Sequence, residues 1–141
     1  MNSWFRGVCY GLLAGVLAGF IGCAPVELPP PPPTAPVAIS TFRMTAGKWA
    51  GILKAKPRSR DDDWVTLVTG EDGSYEFVSM RTIGMFHGKG TFTIIDGKLT
   101  VETERGSAVL TLYEEGGRRM LKAEGATKDG VQYSADLTPA Q

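Results

Sequence analysis

The chain has 141 residues, with 15 Lys and Arg balanced by 15 Asp and Glu and a single His. That length supports one domain of ordinary size, and a net charge of zero lacks the clustered cationic excess that nucleic-acid binding requires. Charge and proline are unevenly spread: residues 7–22 carry no charge, and seven of the nine prolines lie between Pro25 and Pro36. From Thr41 on the chain reads as globular, about 100 residues that can bury roughly 60–70% of their unfolded surface.

Met1 to Arg6 is short and positive, and Gly7 to Gly22 forms sixteen uncharged, mostly apolar residues. A permanent membrane span needs about 20, so this run predicts a secretory signal peptide over 1–22. It ends at Phe20-Ile21-Gly22-Cys23, which resembles the lipobox of bacterial lipoproteins. The resemblance implies cleavage after the small residue Gly22 and acylation of Cys23, palmitate included. Phe20 stands where those families usually place Leu. Several acyl chains on one residue make membrane attachment stable where one chain does not. In these families an Asp after the Cys holds the protein at the inner membrane. Ala24 therefore implies the outer membrane, facing the periplasm. A rival reading uses Gly7, Gly11, Gly15 and Gly19, whose four-residue spacing suits an uncleaved, dimerising anchor. Cys9 falls in the segment to be removed and Cys23 is acylated, so the mature domain is expected to have no disulfide.

Residues 23–40 follow as the lipidated Cys and a Pro-rich linker. Five consecutive prolines, 29–33, impose polyproline II geometry, and 25–36 would reach on the order of 37 Å as a spacer. A Pro-rich run also serves as an SH3-type ligand, for which bacterial envelopes hold little machinery.

Over 41–141 the pattern is alternation. Trp49, Gly51 and Leu53 share one parity, as do Tyr75 and Phe77, Phe92 and Ile94, Leu99 and Val101, Ala108, Leu110 and Leu112, Leu121 and Ala123, and Tyr133, Ala135 and Leu137. Period two with one apolar face marks half-buried antiparallel strands. Turn signals separate the runs: Asp72-Gly73, Asp96-Gly97, Arg105-Gly106, Gly116-Gly117 and Asp129-Gly130. The pattern predicts an all-β fold, a small up-and-down antiparallel β-barrel of eight or nine strands, because closure removes the exposed edges of a long meander.

Gly47-Lys48-Trp49 opens the first strand, and this Gly-x-Trp is similar to the first motif of lipocalins and their avidin-like relatives. The resemblance implies a smaller lipocalin-like barrel in which Trp49 closes one end. Exported metalloprotease-inhibitor and lysozyme-inhibitor barrels are of similar size, but they typically carry a disulfide that this mature domain lacks.

Chemistry is sparse. One His without a usable Cys cannot build the common zinc sites, so no metal or cofactor is expected. His87, between two glycines, reads as a turn residue. Asp61-Asp62-Asp63 lacks the alternation of a calcium loop and reads as a solvated loop after Lys56, Arg58 and Arg60. Glu102 and Glu104 alternate outward, and no acid/base pair falls in the interior, so the chain is read as a non-enzyme. The interior itself is the remaining candidate. Trp49, Tyr75, Phe77, Phe92 and Tyr133 are the aromatic wall of a possible site for a small apolar ligand, with Leu53, Leu67, Ile94, Leu99, Val101, Leu110, Leu112, Leu121 and Leu137 around them. Eight strands make an interior that side chains fill or that holds one small ligand. Two functions stay open: a carrier of a small apolar molecule, or a filled barrel whose outer surface, at Val109, Tyr113 and the 55–63 loop, binds an envelope protein.

Overall fold

The structure is a computed structural model that describes residues 28–56, 63–81 and 84–141. The expected signal peptide, Cys23, Arg58, Arg60, Asp61 and Asp62 lie outside the described residues. Ten strands follow in chain order: β1 (Pro36–Val37), β2 (Gly47–Lys56), β3 (Asp63–Thr69), β4 (Ser74–Arg81), β5 (Gly84–Thr91), β6 (Thr93–Ile95), β7 (Lys98–Thr103), β8 (Gly106–Glu115), β9 (Arg118–Thr127) and β10 (Gln132–Pro139). One 3₁₀ turn, Phe42–Met44, precedes β2.

Nine strands form one antiparallel sheet in the order β5-β4-β3-β2-β10-β9-β8-β7-β6. Sequence neighbours pair from β2 to β5 and from β6 to β10, and β2 pairs with β10, so the sheet curls into a nearly closed up-and-down barrel. Its two outer members, β5 and β6, are separated in sequence only by Phe92. One stretch of chain therefore pairs with β4, passes Phe92, and then pairs with β7. Phe92 N–H donates to Gly73 O at 2.9 Å and its ring is buried, which fixes the change of partner. Closure holds at that end. Farther along, β5 and the Val101–Thr103 part of β7 share no ladder, leaving a slot between their free edges.

The turns obey local chemistry. Asp96 (φ 51°) and Gly97 (φ 72°) form the two-residue loop between paired Ile95 and Lys98. Positive φ at both positions is what a type I′ hairpin requires. The Asp72 carboxylate accepts from Ser74 Oγ at 2.6 Å and Ser74 N–H at 2.9 Å, and those bonds lower its pKa. One turn differs from the sequence reading by a residue. Thr103 pairs with Gly106, so the loop is Glu104-Arg105. Gly106 belongs to β8, where its backbone runs so close to Ala126 O that no Cβ fits.

The inner face carries the core: Ile39, Trp49, Val65, Leu67, Tyr75, Phe92, Leu99, Leu110, Leu112, Leu121, Ala135 and Leu137. Nine of the fourteen residues expected inside are fully buried. Leu53, Phe77, Ile94 and Val101 pack on the core half-buried, and Tyr133 is half-buried outside that cluster. Alternation on β3 also brings Val65 inside, a position the motif reading passed over.

The expected spacer is partly domain. The compact unit begins at Pro31, not at Thr41. Arg118 Nη1 donates to Pro31 O, Thr34 N–H donates to Glu115 Oε2 at 3.1 Å, and Glu114 N–H donates to Ala35 O at 3.1 Å. Pro36 and Val37 then pair with Tyr113 and Leu112, and Ile39, 2% exposed, enters the core. Polyproline geometry is extended and its carbonyls are free, so it adds along a strand whose outer groups lack partners. A chain starting at residue 41 should accordingly unfold in urea with about 2–5 kcal/mol less stability than one starting at 31, since a buried Ile and a strand are removed. Equal midpoints would show the segment to be a passive stalk.

Candidate ligand-binding site

Strand direction gives the barrel two unlike ends. The loops at 70–73, 96–97 and 116–117 and the end of β10 lie at one of them. The connections at 104–105 and 128–131 lie at the other, with the C-terminal ends of β2 and β4.

The first end is sealed. Trp49 is 2% exposed, and its Nε1–H donates to Thr45 O at 2.9 Å. Thr69 Oγ1 donates to the same carbonyl. The Arg119 guanidinium lies 5.5 Å from the Trp49 ring centroid, and its Nη2 donates to Met44 O in the 3₁₀ turn. Its Nε lies 3.6 Å from Glu114 Oε2, an ion-pair distance too long for a hydrogen bond. A stacked cation, two backbone carbonyls and a buried indole together plug this end. Trp49 thus lies buried at the sealed end, held by Thr45 O and covered by the Arg119 guanidinium.

Toward the other end the inner face opens. On β8 the order is Leu112 and Leu110, buried, then Ala108, half-buried. On β9, buried Leu121 gives way to half-buried Ala123 and Gly125. On β10, buried Leu137 and Ala135 give way to half-buried Tyr133, and on β2 buried Trp49 is followed by half-buried Gly51, Leu53 and Ala55. The wall is therefore buried at the sealed end and half-buried near the mouth, where Ala55, Ala108, Ala123 and Gly125 stand among Leu53, Val101 and Tyr133.

The slot side is aromatic. Tyr75 and Phe92 stack with centroids 4.4 Å apart and planes tilted by 32°. Tyr75 pairs with Gly90 and Phe77 with Gly88. A Cβ at Gly90 would meet Tyr75 Oη at 2.8 Å, and one at Gly88 would meet the Phe77 ring. The two glycines on β5 are where the rings lie across the neighbouring strand, a pairing that compensates for missing side chains. Tyr75, Phe77 and Phe92 thus form one group. Tyr133 stands apart on β10, opposite Ala55 and Gly125. Ser79, paired with buried Val65, shares their inner face, is 3% exposed, and its Oγ has no hydrogen-bond partner. Sequence reasoning missed it, because a Ser in the strand of Tyr75 and Phe77 reads as an outward polar residue unless parity is followed.

Other expectations change. His87 is not a turn residue. It lies within β5 on the outer face, its Nε2 2.6 Å from Glu76 Oε1, with both side chains more than half exposed. Such an exposed pair contributes about 0–1 kcal/mol. Tyr113 is not a free surface, because β1 runs beside it. The larger outer apolar feature is a single row across four strands: Ile52, Trp64, Met80 and Met85, 43%, 51%, 58% and 73% exposed, each paired with the next. An open depression of roughly 510 Å³ by Ser40, Thr41, Phe42, Arg43, Glu71 and Ile94 lies at the sealed end, its Arg43 already paired with Glu71 at 3.2 Å. Among the described residues no group of three or more His, Cys, Asp or Glu could hold a metal ion, and no helix is long and apolar enough to cross a membrane.

Burial holds the Tyr75 phenol above its ordinary pKa of 10.0. The unfolded chain ionises this group first, so its contribution to stability is intact below pH 10 and is lost as pH climbs through the higher folded value. Tyr75→Phe should therefore lose less stability between pH 9 and pH 11.5 than the wild type, measured as urea midpoints. Identical slopes would mean that the phenol is not held in the core. No protein-family model matches this chain, and no curated protein matches it.

Proposed function

We propose that this chain is a non-enzymatic lipoprotein anchored at the outer membrane, facing the periplasm, whose lipocalin-like barrel holds a small apolar molecule. The observation that carries the binding reading is the graded inner face: packed and plugged at the Trp49 end, half-buried at the other, where the small residues Ala55, Ala108, Ala123 and Gly125 stand among Leu53, Val101 and Tyr133. A barrel serving only as a solid body would gain by placing larger apolar residues at those positions, since each buried methylene adds roughly 0.8 kcal/mol. The aromatic group Tyr75, Phe77 and Phe92 supplies the apolar wall beside the slot. Phe20-Ile21-Gly22-Cys23 supports the anchor.

Phe92 and Leu110, at 4% and 3% exposure, belong to the core, and truncating them would unfold the domain. Filling the wide end is the cleaner test. Native mass spectrometry of the full chain should show a bound small molecule that Ala108→Phe abolishes while the melting temperature stays within a few degrees. A bare wild-type mass, with no uptake of added apolar compounds, would refute the carrier reading. Cys23→Ala should shift the protein from the membrane to the soluble fraction and end incorporation of labelled palmitate. Unchanged fractionation would instead favour the uncleaved anchor.

One observation favours a second reading, a protein partner on the outer surface. The row Ile52, Trp64, Met80 and Met85 exposes four large apolar side chains in line. Photo-crosslinking from position 80 in the native envelope would identify that partner.

A further inference from the structure

We propose that the outer face of β2–β5 is a docking surface that seats the barrel on an anionic phospholipid bilayer through the row Ile52, Trp64, Met80 and Met85. This goes beyond the acyl anchor, which would tether the chain without orienting the barrel, and it does not need the carrier reading. Four strands at about 4.8 Å spacing make the row on the order of 15 Å long. It follows the rim of the open end: Trp64 and Met85 are the second residues of β3 and β5, and Met80 is the last but one of β4. The outward neighbours on the sealed-end side, Ala50, Thr66 and Val78, are half-buried, so the four large exposed side chains stand out as a ridge.

Charge and composition select the occupant. Among the described residues, alternation from the row gives the outer face of β2–β5 Lys48, Lys54, Lys56 and Lys89 against Glu76, and Glu76 is engaged by His87. On β6–β10 the outer face carries Lys98, Arg118 and Lys122 against Glu102, Glu115, Glu124 and Asp136. The apolar row therefore lies on the cationic side of the barrel. Asp136, which pairs with Ile52, bounds it and has Lys122 on its other side. Lys54 and Lys56 stand two and four residues beyond Ile52 toward the mouth, where their stems can lie along lipid while the ammonium groups reach phosphate. A protein interface typically gathers about 20–30 residues a side and is depleted in Lys. A single line of Trp, Met and Ile bordered by Lys is instead the composition of a surface that enters the headgroup region.

The test places the full chain in nanodiscs of phosphatidylcholine, with or without phosphatidylglycerol, each carrying a nitroxide-labelled lipid, and reads methyl line broadening. In the anionic discs Ile52, Met80 and Met85 should broaden about threefold more than Ile95 and Val109, which are exposed on the other side of the barrel. The contrast should shrink in pure phosphatidylcholine. Lys54→Glu combined with Lys56→Glu should cut it about twofold in the anionic discs at an unchanged melting temperature, because each cation near an anionic surface adds attraction. Equal broadening of the five residues, or a contrast indifferent to lipid charge and to the two lysines, overturns the docking face while leaving the anchor reading intact. So does photo-crosslinking from position 80 in the native envelope that yields one protein adduct instead of lipid adducts. A chain that associates with neither kind of disc overturns the docking face and the anchor together.

Discussion

A nine-stranded meander has two outer edges, and the whole molecule is arranged by how it disposes of them. Unpaired edges invite association with other chains. Here β2 takes β10 as its second partner, and the remaining two edges are made from one continuous stretch of chain that changes partners at Phe92. That solution closes one end of the barrel and necessarily leaves the other end of the seam apart, because a single strand cannot follow β4 and β7 along their full lengths. The slot, the two glycines on β5 and the rings of Tyr75 and Phe77 laid across them all follow from this change of partner.

The plug at the Trp49 end belongs to the same economy. Where the seam closes, the barrel needs something to fill its floor, and an indole covered by the Arg119 guanidinium is large and flat enough. Its cost is polar: the indole N–H and the guanidinium must be satisfied away from water. Thr45 O accepts from the indole N–H and Met44 O from Arg119 Nη2, while Arg119 Nε has only its ion pair with Glu114. The N-terminal segment completes the structure by running along β8 and delivering Ile39 to the core. A domain without a disulfide among its described residues thus draws on segments that composition alone would assign to a linker.

Much of this was legible beforehand. Period-two alternation in Leu99–Thr103, Ala108–Leu112 and Tyr133–Leu137 marked strands and their inward faces, and the Asp-Gly and Gly-Gly pairs marked most hairpins, since those turns need positive φ. Other features were hidden because their signal is not local. Ser79 looks polar and outward until its parity with Tyr75 and Phe77 is combined with its partner Val65. Arg119 is one charge among 15 Lys and Arg until β9 sets it over Trp49. His87 sits between small residues that suggest a turn, yet those glycines serve the rings of the neighbouring strand.

By itself the sequence determined the class of fold, the approximate strand count and the alternating core, because these depend on residue type and spacing within one strand. It also carries the whole case for export and acylation, which rests on Gly7–Cys23. Only the tertiary structure decided where the sheet closes, which end is plugged, where the compact unit begins and which buried polar atoms, Ser79 Oγ and Arg119 Nε, are left without a hydrogen-bond partner. Those depend on pairings between residues far apart in the chain, such as Val37 with Leu112 and Gly51 with Leu137, and no local pattern records them.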